Sequence, residues 1–256
     1  MAKTKFKNRD RVKESGNALL FILLGVVLFA SLSFVMSRGF GTEGTSKMSD
    51  RRAELAATDI LSSSRRMESA VNRLRQNNCS ESELNFDTAA LTGYDNTDAP
   101  ADGKCDIFSP SGGNVTYTAP QLDWNNSTHA SESFYNEWAF IGSSSVYDLG
   151  TVKGSCNSAT NRQNCVELVM LLPYVKKELC LKLNDKLGVT NTSEEAPRDG
   201  GMNPIKFTGT FTYTSYELGN EAGTSVDLRG KPAGCYSVNR GAGVIVHHFY
   251  YVLLAR

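Results

Sequence analysis

Apolar positions are distributed along this chain in three distinct ways, and each predicts a different element. Residues 18–36 (ALLFILLGVVLFASLSFVM) carry no charge, and about 20 apolar helical residues at 1.5 Å each cross the ~30 Å hydrocarbon core of a bilayer. A transmembrane or signal-anchor helix over 17–37 follows. Next comes SRGFGTEG, with Gly39, Gly41 and Gly44 in six positions. Glycine costs about 1 kcal/mol per residue in a helix interior, so a break is expected there. From about residue 46 to 76 the pattern is amphipathic. Met48, Leu55, Met67, Val71 and Leu74 recur mostly at spacings of three, four and seven, with Ile60 and Leu61 between, while Arg51, Arg52, Glu54, Arg65, Arg66, Glu68, Arg73 and Arg75 occupy other faces.

Beyond residue 76 the pattern shortens. Turn formers dominate 77–136 (NNCSESE, TGYDNTDAPADGK, SPSGGN, DWNNSTHASES), with a short strand expected at 114–118. EWAFIG and CVELVMLL read as strands, the second buried. Pro173 and Gly188 bracket a predicted helix, in which Val175, Leu179, Leu183 and Leu187 recur every four residues and Lys176, Lys177, Lys182 and Lys186 face outward. FTGTFTYTSY (207–216) alternates as a half-buried strand does, and 234–238 and 244–254 supply two more. The predicted class is α+β: a long N-terminal helix, membrane-spanning first and amphipathic after the break, then a head with an antiparallel sheet and a packed helix. The segments are 1–16, 17–37, 38–78 and 79–256.

Charge sharpens the topology. The 256 residues balance 27 Lys and Arg against 27 Asp and Glu, but residues 1–16 hold Lys3, Lys5, Lys7, Arg9, Arg11 and Lys13 against Asp10 and Glu14, a net of +4. The remainder is therefore −4. Positive flanks stay cytoplasmic, so 1–16 is a cytoplasmic leader, the span is single-pass in the inner membrane, and the head is periplasmic or on the cell surface. A slightly acidic head gives no electrostatic footprint for nucleic acid. Cys79, Cys105, Cys156, Cys165, Cys180 and Cys235 all follow the span, as expected for disulfides in an oxidising compartment. Six cysteines allow fifteen pairings, and proximity along the chain favours 79–105, 156–165 and 180–235.

The segment RVKESG–NALLFILLGVVLFASLSFV (11–35) resembles the N-terminus of type IV pilins and of type II secretion pseudopilins: a basic leader, a glycine, then an apolar helix leading into a disulfide-bonded α+β head. The resemblance covers about residues 9–77, and LPYVKKELCLKLNDKLGV (172–189) is similar to the cysteine-bearing helix of some type IVb pilins. It implies leader cleavage between Gly16 and Asn17. It also implies partnership with related subunits and assembly machinery as well as with membrane lipid. One departure matters. Phe21 stands where the family places a glutamate, whose carboxylate meets a neighbour's N-terminal amine in an apolar core. The minor subunit at a pseudopilus tip also lacks that glutamate, so the resemblance implies a minor, non-enzymatic subunit. The alternatives are a plain signal anchor holding a periplasmic binding or adhesion domain, a cleaved secretory signal, and an anchored hydrolase.

Other candidate chemistry is sparse. Asp95, Asp98, Asp102 and Asp106 crowd one loop and offer some of the six to eight oxygens that calcium needs, though without EF-hand spacing; the competing reading is a solvated acidic loop. His247 and His248 are adjacent in a predicted strand and point to opposite faces, so one is expected in solvent and the other packed. His129 is expected exposed. Phe134, Tyr135, Trp124, Trp138 and Phe140 form either a carbohydrate or partner surface or part of the core. The sequence has no GxSxG, nucleotide-binding glycine pattern or zinc spacing, and no cofactor is expected.

Overall fold

Ala57, Ile60, Ser64, Met67, Val71 and Leu74 follow one another at alternating steps of three and four, and every one is buried. They form the seam of helix α2 (Glu43–Gln76). The seam mixes small with large side chains, so Leu55, which the apolar pattern assigns to it, instead projects outward and is 67% exposed. Ser64 is tolerated because its hydroxyl donates back to the Ile60 carbonyl at 2.9 Å. The computed structural model of the chain describes residues 20–30, 43–151, 164–220 and 225–256. It divides into a unit Met1–Arg51 and a unit Arg52–Arg256, the boundary falling inside α2.

In the first unit residues 20–30 are helical (α1). Their side chains lie open, Leu24 at 54% and Phe29 at 74% exposed. Among the described residues no helix is long and apolar enough to cross a membrane; the predicted span 17–37 extends beyond them at both ends. The expected glycine break lies mostly outside them too, and a continuous N-terminal helix is not described.

The second unit is α+β. Strands β1 (Ala139–Val146), β2 (Glu167–Leu172), β3 (Glu217–Leu218), β4 (Ala233–Asn239) and β5 (Ile245–Leu254) form one mixed sheet in the order β3-β1-β2-β5-β4. The β1–β2, β2–β5 and β4–β5 pairings are antiparallel, and only the two-residue β3 runs parallel to β1. Both faces are covered. Phe140, Leu168, Met170, Leu172, Cys235 and Phe249 share a core with the α2 seam and with α3 (Lys177–Leu187). On the opposite face Ile141, Val169, Leu171, Tyr236, Tyr250 and Val252 pack with Val189, Met202 and Leu228. That two-sided cover is why β2 reads as an apolar run from Leu168 to Leu172.

Three expected elements are corrected. Helix α3 begins at Lys177 rather than Pro173. The Pro173 and Tyr174 carbonyls accept from Asn125 Nδ2 and Asn126 N, each at 2.7 Å, and so are taken by a loop before a helix can form. Its end is as predicted: Gly188, at φ 65°, closes the helix with its N–H donating to Asn184 O. Residues 207–216 flank β1 but form no strand, because Gly209 (φ 90°) and Ser215 (φ 65°) turn the backbone out of the extended region. Isolated hydrogen bonds remain, from Phe207 N to Phe140 O and from Thr212 N to Gly142 O, each 2.9 Å. Nor do residues 114–118 form a strand, since Asn114 sits at φ 48°.

The turn-rich middle is built into the core. Cys79 and Cys105 are bonded, Phe86 stacks on Phe140 at 4.2 Å, and Trp124 and Trp138 are buried edge to face at 6.3 Å. The aromatic cluster of the sequence is thus largely core. A second disulfide joins Cys180 of α3 to Cys235 of β4. Cys165 is also disulfide-bonded, while Cys156 and the expected 156–165 pairing lie outside the described residues.

Candidate functional site

The four candidate calcium ligands are not brought together. Asp95, Asp98 and Asp102 are exposed, Asp102 Oδ1 accepts from its neighbour Lys104 N at 3.1 Å, and Asp106 Oδ1 is taken by Asn85 Nδ2 at 3.0 Å. Among the described residues no three His, Cys, Asp or Glu side chains form a metal-holding group. The loop is solvated, and its acids serve turns. Gly16 and Asn17, the expected processing site, lie outside the described residues.

His247 and His248 do point to opposite faces, yet neither reaches solvent, because the sheet is covered on both sides. They are 7% and 8% exposed. His247 Nε2 lies 2.5 Å from Glu195 Oε1, and Lys177 Nζ lies 3.1 Å from Glu195 Oε2. Burial works to raise the Glu195 carboxyl, but the hydrogen bonds from His247 and Lys177 outweigh it and the net shift is downward. This is a clasp that ties the segment between α3 and β3 to β5 and to the start of α3.

His248 has a different setting. It sits opposite Tyr236 in the β4–β5 ladder, 5.4 Å from that ring and 5.3 Å from the Tyr174 ring. His129, expected to be exposed, is half-buried and stacks on the Tyr174 ring at 5.1 Å. His248 Nδ1 is buried without a hydrogen-bond partner. Burial first, then the positive charge of Arg240, holds the imidazole pKa down to about 3, so it is neutral.

Tyr174, Tyr236 and His248 border a cavity of about 210 Å³ that also touches Phe134, Met202, Tyr216 and Arg240. Two wall residues, Phe134 (φ 62°) and Tyr174 (φ 59°), hold left-handed backbone conformations. Such conformations are rare for bulky side chains and cost about 1–3 kcal/mol each. Arg240 spans the wall: Nη2 donates to Tyr174 Oη at 2.8 Å, and Nη1 pairs with Glu132 at 3.2 Å. The lining comes from six separate stretches of sequence, so no local motif announces it; His248 and Phe134 are the residues singled out from the sequence that line it.

A larger open groove of about 1000 Å³ runs along α2 past Arg65, Arg66 and Arg73 to Asn114–Thr118 and Lys186. Lys186 is already paired with Glu54 at 2.6 Å. On the far side of the sheet, Glu167 is completely buried. Its Oε2 accepts from Val146 N at 3.0 Å and its Oε1 has no partner. The chain matches no protein-family model, no curated protein and no solved structure.

Proposed function

We propose that the chain is a non-enzymatic, membrane-anchored pilin-like subunit of a filament, pseudopilus or adhesion apparatus, with a minor or tip position. The observation that supports it is the charge-free stretch 18–36, whose described part, 20–30, is helical with its apolar side chains open. A helix surface apolar all round is a liability in water and is suited to lipid or to a bundle of like helices. The disulfide-bonded α+β head belongs on the oxidising side of the membrane, with the basic leader inside. Phe21 in place of a carboxylate removes the charge pairing expected of a repeating subunit, which favours the minor role.

The mature N-terminus tests this reading. Intact mass of membrane-extracted protein is expected to show loss of residues 1–16 and a chain beginning at Asn17; a retained leader would favour a plain anchor. A mid-span charge supplies a second test: Leu23→Lys is expected to release the protein from the membrane fraction or block its assembly, whereas Lys176→Ala leaves both unchanged. Normal insertion of the Leu23 variant would count against the span. The second reading, a signal-anchored periplasmic binding or adhesion domain, draws its support from the open groove along α2.

A further inference from the structure

We propose that the open groove between α2 and residues 114–118 holds an acidic, extended peptide segment of a partner protein. The groove, about 1000 Å³, runs from Thr58 to Arg73, about 22 Å along the helix axis. That is the length of roughly six or seven residues of extended chain. A smaller hollow of about 230 Å³ shares Ser62, Arg66 and Thr118 with it and continues it to Gln121. Charge selects the class of occupant. Arg65, Arg66 and Arg73 line the groove and are exposed, and among the described residues none of them is ion-paired. Arg66 donates only to Ser63 Oγ on its own helix, at 3.1 Å. The fourth cation, Lys186, is matched by Glu54, and Glu68 of α2 is held by Tyr251 Oη at 2.6 Å. Among the described residues the one acid lining either hollow is Asp59, at the end remote from Arg73. Three unmatched guanidinium groups on a chain whose residues 17–256 are net −4 make a local positive field that carboxylates complement. Arg66 and Arg73 stand two helical turns apart, about 10.5 Å, or roughly three residues of extended chain. Carboxylates on every third residue match them.

The opposite wall favours a polypeptide over other anions. Exposed Thr116 and Thr118 alternate there with half-buried Val115 and Tyr117. Val115 N donates to Ile107 O at 3.3 Å, and Thr118 O accepts from Trp138 Nε1 at 3.0 Å. The Thr116 N–H and C=O and the Thr118 N–H have no hydrogen-bond partner among the described residues. Open main-chain donors and acceptors of this kind are what an extended peptide pairs with through its own backbone. Leu61, Ala70 and Val115 add an apolar strip for the segment's uncharged side chains. Among the described residues no aromatic ring lines the groove, so a nucleic acid finds no surface there on which to stack its bases.

The test uses the full-length protein in a nonionic detergent and a panel of decapeptides carrying a neutral dye, read by fluorescence anisotropy. Each peptide holds two glutamates, set two to five residues apart among threonine, valine and glycine. The three-residue spacing is expected to bind most tightly, with a Kd of about 1 mM or tighter at low salt and weaker binding at physiological salt. Glutamine in place of both glutamates is expected to abolish binding. Arg66→Ala and Arg73→Ala are each expected to weaken it several-fold and together about tenfold, while thermal unfolding stays as in the parent because both side chains are exposed. Arg198→Ala, exposed outside the groove, is expected to leave it unchanged. Charge exchange gives the sharpest result: Arg66→Glu combined with Arg73→Glu is expected to reject the glutamate peptide and to bind its lysine counterpart. The proposal is overturned if no peptide of the panel binds, if the glutamine peptide binds as well as its parent, or if the arginine variants bind as the unaltered protein does. It is equally overturned if a sulfated oligosaccharide or a single-stranded oligonucleotide of equal charge binds more tightly than every peptide. None of these outcomes bears on the anchor, which the N-terminal mass tests separately.

Discussion

Asn184→Leu is expected to destabilise the head by about 4 kcal/mol, read as a lower midpoint in urea together with faster hydrogen exchange at the Cys235 amide. Asn184 is the unexpected buried polar residue of α3. Its carboxamide acts as a piece of strand: Oδ1 accepts from Cys235 N at 2.7 Å while Nδ2 donates to Cys235 O at 3.0 Å. The same Nδ2 donates to Asn191 Oδ1 at 2.8 Å, and Asn191 Nδ2 is fixed in turn by the Leu181 carbonyl at 3.1 Å. Leucine keeps the branched shape at a larger volume but abandons both backbone groups of a wholly buried residue. Each costs about 1–3 kcal/mol when left unpaired. The Cys180–Cys235 disulfide lies beside this contact, so strand β4 stays tethered and the loss is expected in local order as well as in the global midpoint. An unchanged midpoint would mean that water replaces the amide, and would remove Asn184 as the hinge pin between α3 and the sheet.

Glu167→Gln is expected to stabilise the folded head at neutral pH and to have little effect in acid. Burial, reinforced by the nearby Glu217, raises the Glu167 carboxyl to about 8 from 4.5, against the opposing Val146 hydrogen bond and Arg256. Between those values the folded chain holds a proton that the unfolded chain has released. Stability is therefore fully present below pH 4.5 and is lost as pH rises through about 8. At pH 7 the penalty is about 3 kcal/mol, and the amide removes it while preserving an acceptor for Val146 N. His248 tilts the curve the other way. Its pKa falls from 6.5 to about 3 on folding, so the unfolded chain gains a proton first as the solution is acidified, and stability drops below pH 6.5. Together the two groups give a plateau between about pH 4.5 and 6.5, with a decline on each side. In the glutamine variant only the acid limb survives. Unfolding curves from pH 4 to 8.5 that remain parallel for parent and variant would defeat this account.

What sequence made legible was whatever depends on neighbours along the chain. Strands β2, β4 and β5 are continuous or β-branched runs, and they form close to where those runs lie. Gly188 ends α3 because only local backbone geometry is involved. The seam of α2 was half visible, since Ala57 and Ser64 are buried as deeply as Ile60 but carry no apolar bulk to mark the stripe. The start of α3 was misread because its deciding contacts come from Asn125 and Asn126, some fifty residues earlier. Residues 207–216 misled for the opposite reason: their alternation is real, but two left-handed positions divide it. Adjacent histidines in a strand do alternate, yet whether a face meets water depends on what the rest of the chain lays over it. The His248 cavity belongs to the same class, for its walls meet only after the sheet is assembled.

Both margins of the sheet are sealed. On one side β3 is two residues long. On the other, the outward backbone groups of β4 are already taken, at Cys235 by the Asn184 amide and at Ser237 by Pro197 O and Asp199 N at 2.8 and 3.0 Å. A neighbouring polypeptide therefore finds no vacant ladder along β4 on which to add itself, and unwanted fibrous stacking through that rim is suppressed. Any companion of this head must grip it by side chains rather than by donating a strand there.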